Sequence, residues 1–163
     1  MTDHADRLPK AVWSDADFDT MGWHDATVYA LAVVPDAEFL SRLVFDLDYI
    51  VEWVHPRFGR RSFQFWIAPA TLVFGEAWEL EGHLEASSLS DGGQCLELLD
   101  LRREAVEDRH GGYRWHLDGA GFDLSFRAPG YRQTFRRAPL LTDEQRLTLE
   151  QRGGVALDEV PFD

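Results

Sequence analysis

Two pairs of side chains in this sequence are of types that move protons or hold cations. His24 and Asp25 are adjacent in "GWHDATVYALAVV", and Asp46 and Asp48 stand two apart in "RLVFDLDYI". Neighbours in a strand face opposite sides, so His24 and Asp25 can converge on one atom only where the chain is irregular. At a turn, Asp25 can instead bond backbone N–H groups and His24 a carbonyl, while Trp23 packs. Spacing of two puts Asp46 and Asp48 on one face of a strand, about 7 Å apart along it. With Glu52 and a histidine they can hold a divalent cation, which prefers oxygen ligands. They can also form an acid/base pair whose shared environment splits their pKa values. Any metal set drawn from these residues would be His24, Asp46 and Asp48. The simpler reading is a solvent-facing strand that uses carboxylates to resist edge pairing.

A second chemistry is carried by arginines. Arg57, Arg60 and Arg61 cluster in "VHPRFGRRSF", and Arg132, Arg136 and Arg137 in "YRQTFRR". A planar guanidinium suits carboxylate or phosphate recognition. Arg60, Arg61, Arg132 and Arg136 are therefore candidates to bind an anion, and balancing nearby acids across strands is the alternative. His116 and Asp118 share a strand face, but Arg114 before them reads as a charge mosaic. The single cysteine, Cys95, excludes an internal disulfide and reads as a small buried side chain in "CLELLDL". There is no H-E-x-x-H, C-x-x-C, G-x-S-x-G, Walker loop or dinucleotide-binding glycine motif. No catalytic residue and no cofactor are expected.

The elements that must position these residues are mostly strands. In 43–50, Leu43, Phe45, Leu47 and Tyr49 point one way and Val44, Asp46, Asp48 and Ile50 the other, as in a half-solvated antiparallel strand. In "SFQFWIAPATLVF", Phe63, Phe65 and Ile67 share one phase and Leu72 and Phe74 the other, which predicts a bulge, corner or break at Pro69. In "AWELEGHLEA", Trp78, Leu80 and Leu84 are expected inward. "SDGG" at 90–93 reads as a turn, and the following strand slips phase between Leu98 and Leu99. Residues 113–136 alternate as consecutive hairpins: Tyr113, Trp115 and Leu117, then Phe122, Leu124 and Phe126, then Tyr131 and Phe135. Ser14 can cap a helical turn. Thr142 and Gln145 form a capping box for a helix over 142–153 that "RGG" stops. The tail 154–163 docks on the body.

These patterns predict one mainly β domain: about eight antiparallel strands in a barrel or curved two-layer sandwich, with a short C-terminal helix. Residues 1–21 form a polar N-terminal segment and 22–138 the β body. With 163 residues, 45% hydrophobic and 13% aromatic, the chain can fill a core. Its formal charge of −13 argues against nucleic acid or an anionic membrane and is compatible with a basic partner. No apolar stretch approaches the roughly 20 residues of a membrane helix, and no secretory signal is evident, so a cytoplasmic location is expected.

"WHDATVYALA", "LVFDLDYIVEW", "FWIAPATLVF" and "SFRAPGYRQTFRRAP" together resemble a group of bacterial proteins carrying a W-H-D motif near the start of a β domain. Some of these are grouped with immunity proteins of polymorphic toxin systems. The resemblance covers most of 20–140 and implies a small, β-rich cytosolic protein. It transfers no residues beyond Trp23, His24 and Asp25. The function expected is that of a noncatalytic binding protein with a basic toxin partner. The alternatives are a metal-dependent or acid/base enzyme with His24, Asp25, Asp46 and Asp48 at a barrel mouth, and a barrel that binds a small ligand among its aromatics.

Overall fold

The computed structural model describes residues 7–37, 39–85 and 95–163. Its strands are β1 (Val12–Ser14), β2 (Ala26–Pro35), β3 (Ser41–Val54), β4 (Gln64–Leu84), β5 (Leu96–Ala105), β6 (Tyr113–Ala120), β7 (Phe122–Ala128), β8 (Arg132–Phe135) and β9 (Leu140–Thr142). A 3-10 helix spans Asp15–Thr20 with Ser14 at its N-cap position as expected, where the Ser14 N–H donates to Asp17 Oδ2 at 2.8 Å, and α1 is a single turn, Leu149–Arg152. The chain is therefore mainly β and antiparallel throughout, with a short C-terminal helix. The described strands begin at Val12, earlier than the polar N-terminal segment implies.

The sheet closes into a ring because β4 is long enough to belong to two walls. Its first part pairs with β3, and its last part, from Trp78, pairs with β7. The circuit runs β4, β3, β2, β5, β6, β7 and back to β4, while β8 and β9 lie along the free edge of β4 and β1 pairs with β8. It is not a regular barrel, since β2 and β5 pair only over Ala26–Val28 and Leu96–Leu98. Gly82 marks the closure: a Cβ there would lie 2.3 Å from the Asp123 carbonyl oxygen of β7.

The inside of the ring is filled. Leu43, Phe45, Leu47 and Tyr49 of β3 meet Trp115, Leu117, Phe126 and Phe135 there, as their alternation predicts. Phe74 stacks edge-on to Trp115 at 5.0 Å and to Phe126 at 4.8 Å. Such pairs add about 0.5–1.5 kcal/mol beyond area burial. The slip near Leu98–Leu99 appears as a register shift between Leu98 and Asp100.

Several expectations are corrected. Pro69 causes no break: Tyr49–Ala68, Asp48–Pro69 and Leu47–Ala70 pair in continuous register. The two apolar phases of β4 arise because both faces are buried, Leu72 and Phe74 inside the ring and Phe65 and Ile67 against Ile50 and Leu147 outside it. Leu80 and Leu84 are exposed, because Glu76 and Glu79 adopt left-handed backbone and the register shifts between Trp78 and Glu81. Only β6 and β7 form a hairpin in the 113–136 meander, since β8 leaves to pair with β1 and β4. Helix α1 starts later than expected: its capping box is Thr148 with Gln151, and Gly153 at φ 80° stops it. The 90–93 turn lies outside the described residues. The tail does dock, with the Phe162 N–H donating to the Phe135 carbonyl at 3.0 Å.

Candidate functional site

Asp46 and Asp48 project from the outward face of β3, as alternation requires, but no solvent reaches them; both are fully buried. The chain after Leu147 folds back across this face as a strap and brings Arg152 between them. Asp46 Oδ1 accepts from Arg152 Nη2 and from Arg136 Nη2, each at 2.6 Å. Asp46 Oδ2 accepts from Arg152 Nη1 at 2.8 Å and from the Ala156 N–H at 3.0 Å. Asp48 Oδ1 accepts from Arg152 Nε at 3.1 Å, and Oδ2 from the Leu147 N–H at 2.8 Å and the Tyr29 hydroxyl at 3.0 Å. The Arg152 guanidinium stacks 3.8 Å from the Tyr29 ring centroid. Arg136 also donates to Thr71 Oγ1, whose hydroxyl donates to the Asp158 carbonyl. Two carboxylates and two guanidiniums thus form a neutral buried knot in which every carboxylate oxygen is used.

The electrostatics follow from that geometry. Burial alone would raise the pKa of Asp46, but hydrogen bonds from Arg152 and Arg136 outweigh it and hold the carboxyl below its ordinary value. Burial disfavours the charge on Arg152, and Asp46 and Asp48 reverse that and raise its pKa. Burial, reinforced by the Asp48 charge, pushes the Tyr29 hydroxyl up. The solvent-facing role read for Asp46 and Asp48 is therefore corrected: the strap removes the solvent.

His24 does not join them. Its side chain is 70% exposed, with Nδ1 3.0 Å from Asp25 Oδ1. Asp25 takes φ 63°, a left-handed conformation that a short polar side chain tolerates, and its other oxygen accepts from Gln145 Nε2 at 3.3 Å. These are side-chain contacts where backbone bonds were expected. Trp23 packs in the core as expected, donating Nε1–H to Gln133 at 2.8 Å. Among the described residues, no group of three His, Cys, Asp or Glu side chains is placed to hold a metal ion.

The arginine candidates also separate. Arg136 belongs to the knot, and Arg60 pairs with Asp143 at 3.0 Å. Arg132 and Arg61 are exposed. Cys95 is exposed as well, which corrects its expected burial, and it touches the Arg146 guanidinium.

What the structure does assemble is an open cleft of about 780 Å³ where the strap leaves the sheet. One wall is aromatic: Trp53, Phe63 and Phe65, with Trp53 nearly perpendicular to Phe63 at 5.9 Å and to Phe65 at 5.0 Å. The rest of the lining includes Glu97, Asp143, Glu144 and Arg146. His24 stands beside it, its ring 6.5 Å from that of Trp53. Sequence reasoning missed this site. Counting by twos from Leu43 sends Trp53 into the core, but β3 shifts register between Ile50 and Glu52 and turns Trp53 to the outside. Glu97 and Asp143–Glu144 carry no local signal, since they meet only through the fold.

Comparison with protein-family models, with curated proteins and with solved structures found no match, so the cleft is read from its own geometry.

Proposed function

We propose that this protein is a noncatalytic binding protein whose cleft takes a segment of a basic partner protein. The observation that carries this reading is the cleft's composition. Apolar rings exposed together with carboxylates suit a cationic, partly apolar segment, and the −13 formal charge steers such a partner toward the molecule. The resemblance of its W-H-D stretch makes a bacterial immunity-type protein, acting in the cytoplasm on a basic toxin, the specific form of the proposal. Use of Asp46 and Asp48 as an acid/base or metal pair finds less support, because each of their oxygens already accepts hydrogen bonds and freeing them means breaking buried ion pairs.

Co-expression with the product of the neighbouring gene tests the reading. The expected result is a stoichiometric complex with a basic protein, weakened by salt and by Glu97→Lys with Glu144→Lys. A complex indifferent to both, or a neighbour with no basic surface that does not bind, overturns it.

A further inference from the structure

The molecule repeatedly uses one device on its own rings. Arg152 lies over Tyr29 at 3.8 Å and is held by Asp46 and Asp48. Arg127 lies over Trp78 at 4.4 Å and is held by Asp108. Arg103 lies over Phe18 at 4.2 Å and Tyr113 at 4.5 Å and is held by Asp15. Arg7 lies over Trp66 at 5.2 Å, paired with Glu52. The looser Lys10–Trp13 contact, at 5.4 Å with Asp17, is the one case built on an ammonium. In each, one cation contacts both an aromatic ring and a carboxylate, so that the ring quadrupole and the anion both attract it.

The cleft presents the same two partners. Trp53 and Phe63 are each more than a third exposed, and Glu97, Asp143 and Glu144 line the same space. Among the described residues, no cation of the chain lies over either ring. Arg60 is turned to Asp143, and Arg146, which also lines the cleft, touches Cys95. Resting on the reading of the cleft as a basic-partner site, we infer that its occupant is an arginine side chain of the partner, stacked on Trp53 and bonded to the cleft's carboxylates. A guanidinium is favoured over an ammonium because it is planar and weakly hydrated. It can therefore lie flat on the indole while its edge donates to two carboxylate oxygens. The perpendicular setting of Trp53 and Phe63 supplies a face and a side wall for that plane.

The full chain, labelled with nitrogen-15, is titrated with hexa-arginine and with hexa-lysine peptides at about 50 mM salt, where charge attraction is weakly screened. The Trp53 indole N–H signal, assigned with Trp53→Phe, is followed. Hexa-arginine is expected to move that signal and to bind about tenfold more tightly than hexa-lysine, the ratio that a partly desolvated cation–π contact gives. Trp53→Leu should bring the two peptides to within about twofold of each other. Glu97→Gln with Glu144→Gln should weaken both. If Trp53→Leu lowers the thermal midpoint, Phe63→Leu at the cleft edge replaces it. Equal affinities, with the Trp53 signal moving for both peptides, overturn the arginine inference and leave the basic-partner reading standing. A Trp53 signal that neither peptide moves overturns both.

Discussion

Asp46 and Asp118 both lie on the outward face of the ring and both are met by arginines, but in opposite surroundings. Asp46 and Arg152 are fully buried beneath the strap, whereas the side chains of Asp118 and Arg102 are each about half exposed, at 49% and 52%. Around Asp118 the face of β5, β6 and β7 is a mosaic of separate pairs, Arg102 with Asp118 and Arg114 with Glu79 among them. Arg102 and Asp118 each keep water as an alternative partner, so that pair adds little. Around Asp46 water is excluded. The ions depend on one another, and removing one leaves the others unpaired in a low-dielectric setting. The same residue types in the same strand geometry are decorative on one wall and structural on the other; what differs is whether a further piece of chain covers them.

The contrast can be broken most directly at Arg152. Arg152→Ala should cost about 3–5 kcal/mol in urea denaturation, because Asp46 and Asp48 lose their shared partner while still buried. Acidification attacks the same pair from the other side. The folded pKa of Asp46 lies below its unfolded value, so its contribution is complete above about pH 4 and is lost as pH falls through the folded value. Hydrogen-exchange protection of the Ala156 amide, which donates to Asp46, should therefore fall in acid before that of amides in β6. A milder probe is Thr148→Ala, which removes the hydroxyl that caps α1 and should cost about 1 kcal/mol. Least of all should happen at Arg102→Ala: its urea midpoint should match that of the unaltered protein, and a clear loss there would erase the distinction between the two walls.

How much of this was legible in the sequence follows the reach of each signal. Alternation in β3, β6 and β7 is written over a few residues, and the structure keeps those faces inside the ring. The Gly153 stop and the Ser14 cap are equally local. Burial of Asp46 is not local, since its partner Arg152 lies 106 positions later and an aspartate in a strand reads as a solvent mark. Period-two counting also fails wherever one residue is inserted. Leu80 is misplaced by such a shift, a second one turns Trp53 outward, and nothing in their immediate neighbours announces them. The cleft combined both difficulties. A register shift exposes its rings, and its carboxylates come from β5 and from the segment before α1.

The strap has a consequence for binding because it is continuous with a wall of the cleft. Residues 143–146 wall the cleft, and residues 147–156 close the knot immediately after them. A ligand that prefers the cleft with this wall in place must, by thermodynamic linkage, favour the closed strap by the same factor that closure favours the ligand. Occupancy would then register far from the contact, as added resistance to unfolding that grows with the logarithm of ligand concentration. Conversely, weakening the knot would lower affinity without touching any group that meets the ligand, by reducing the fraction of molecules whose wall is in place.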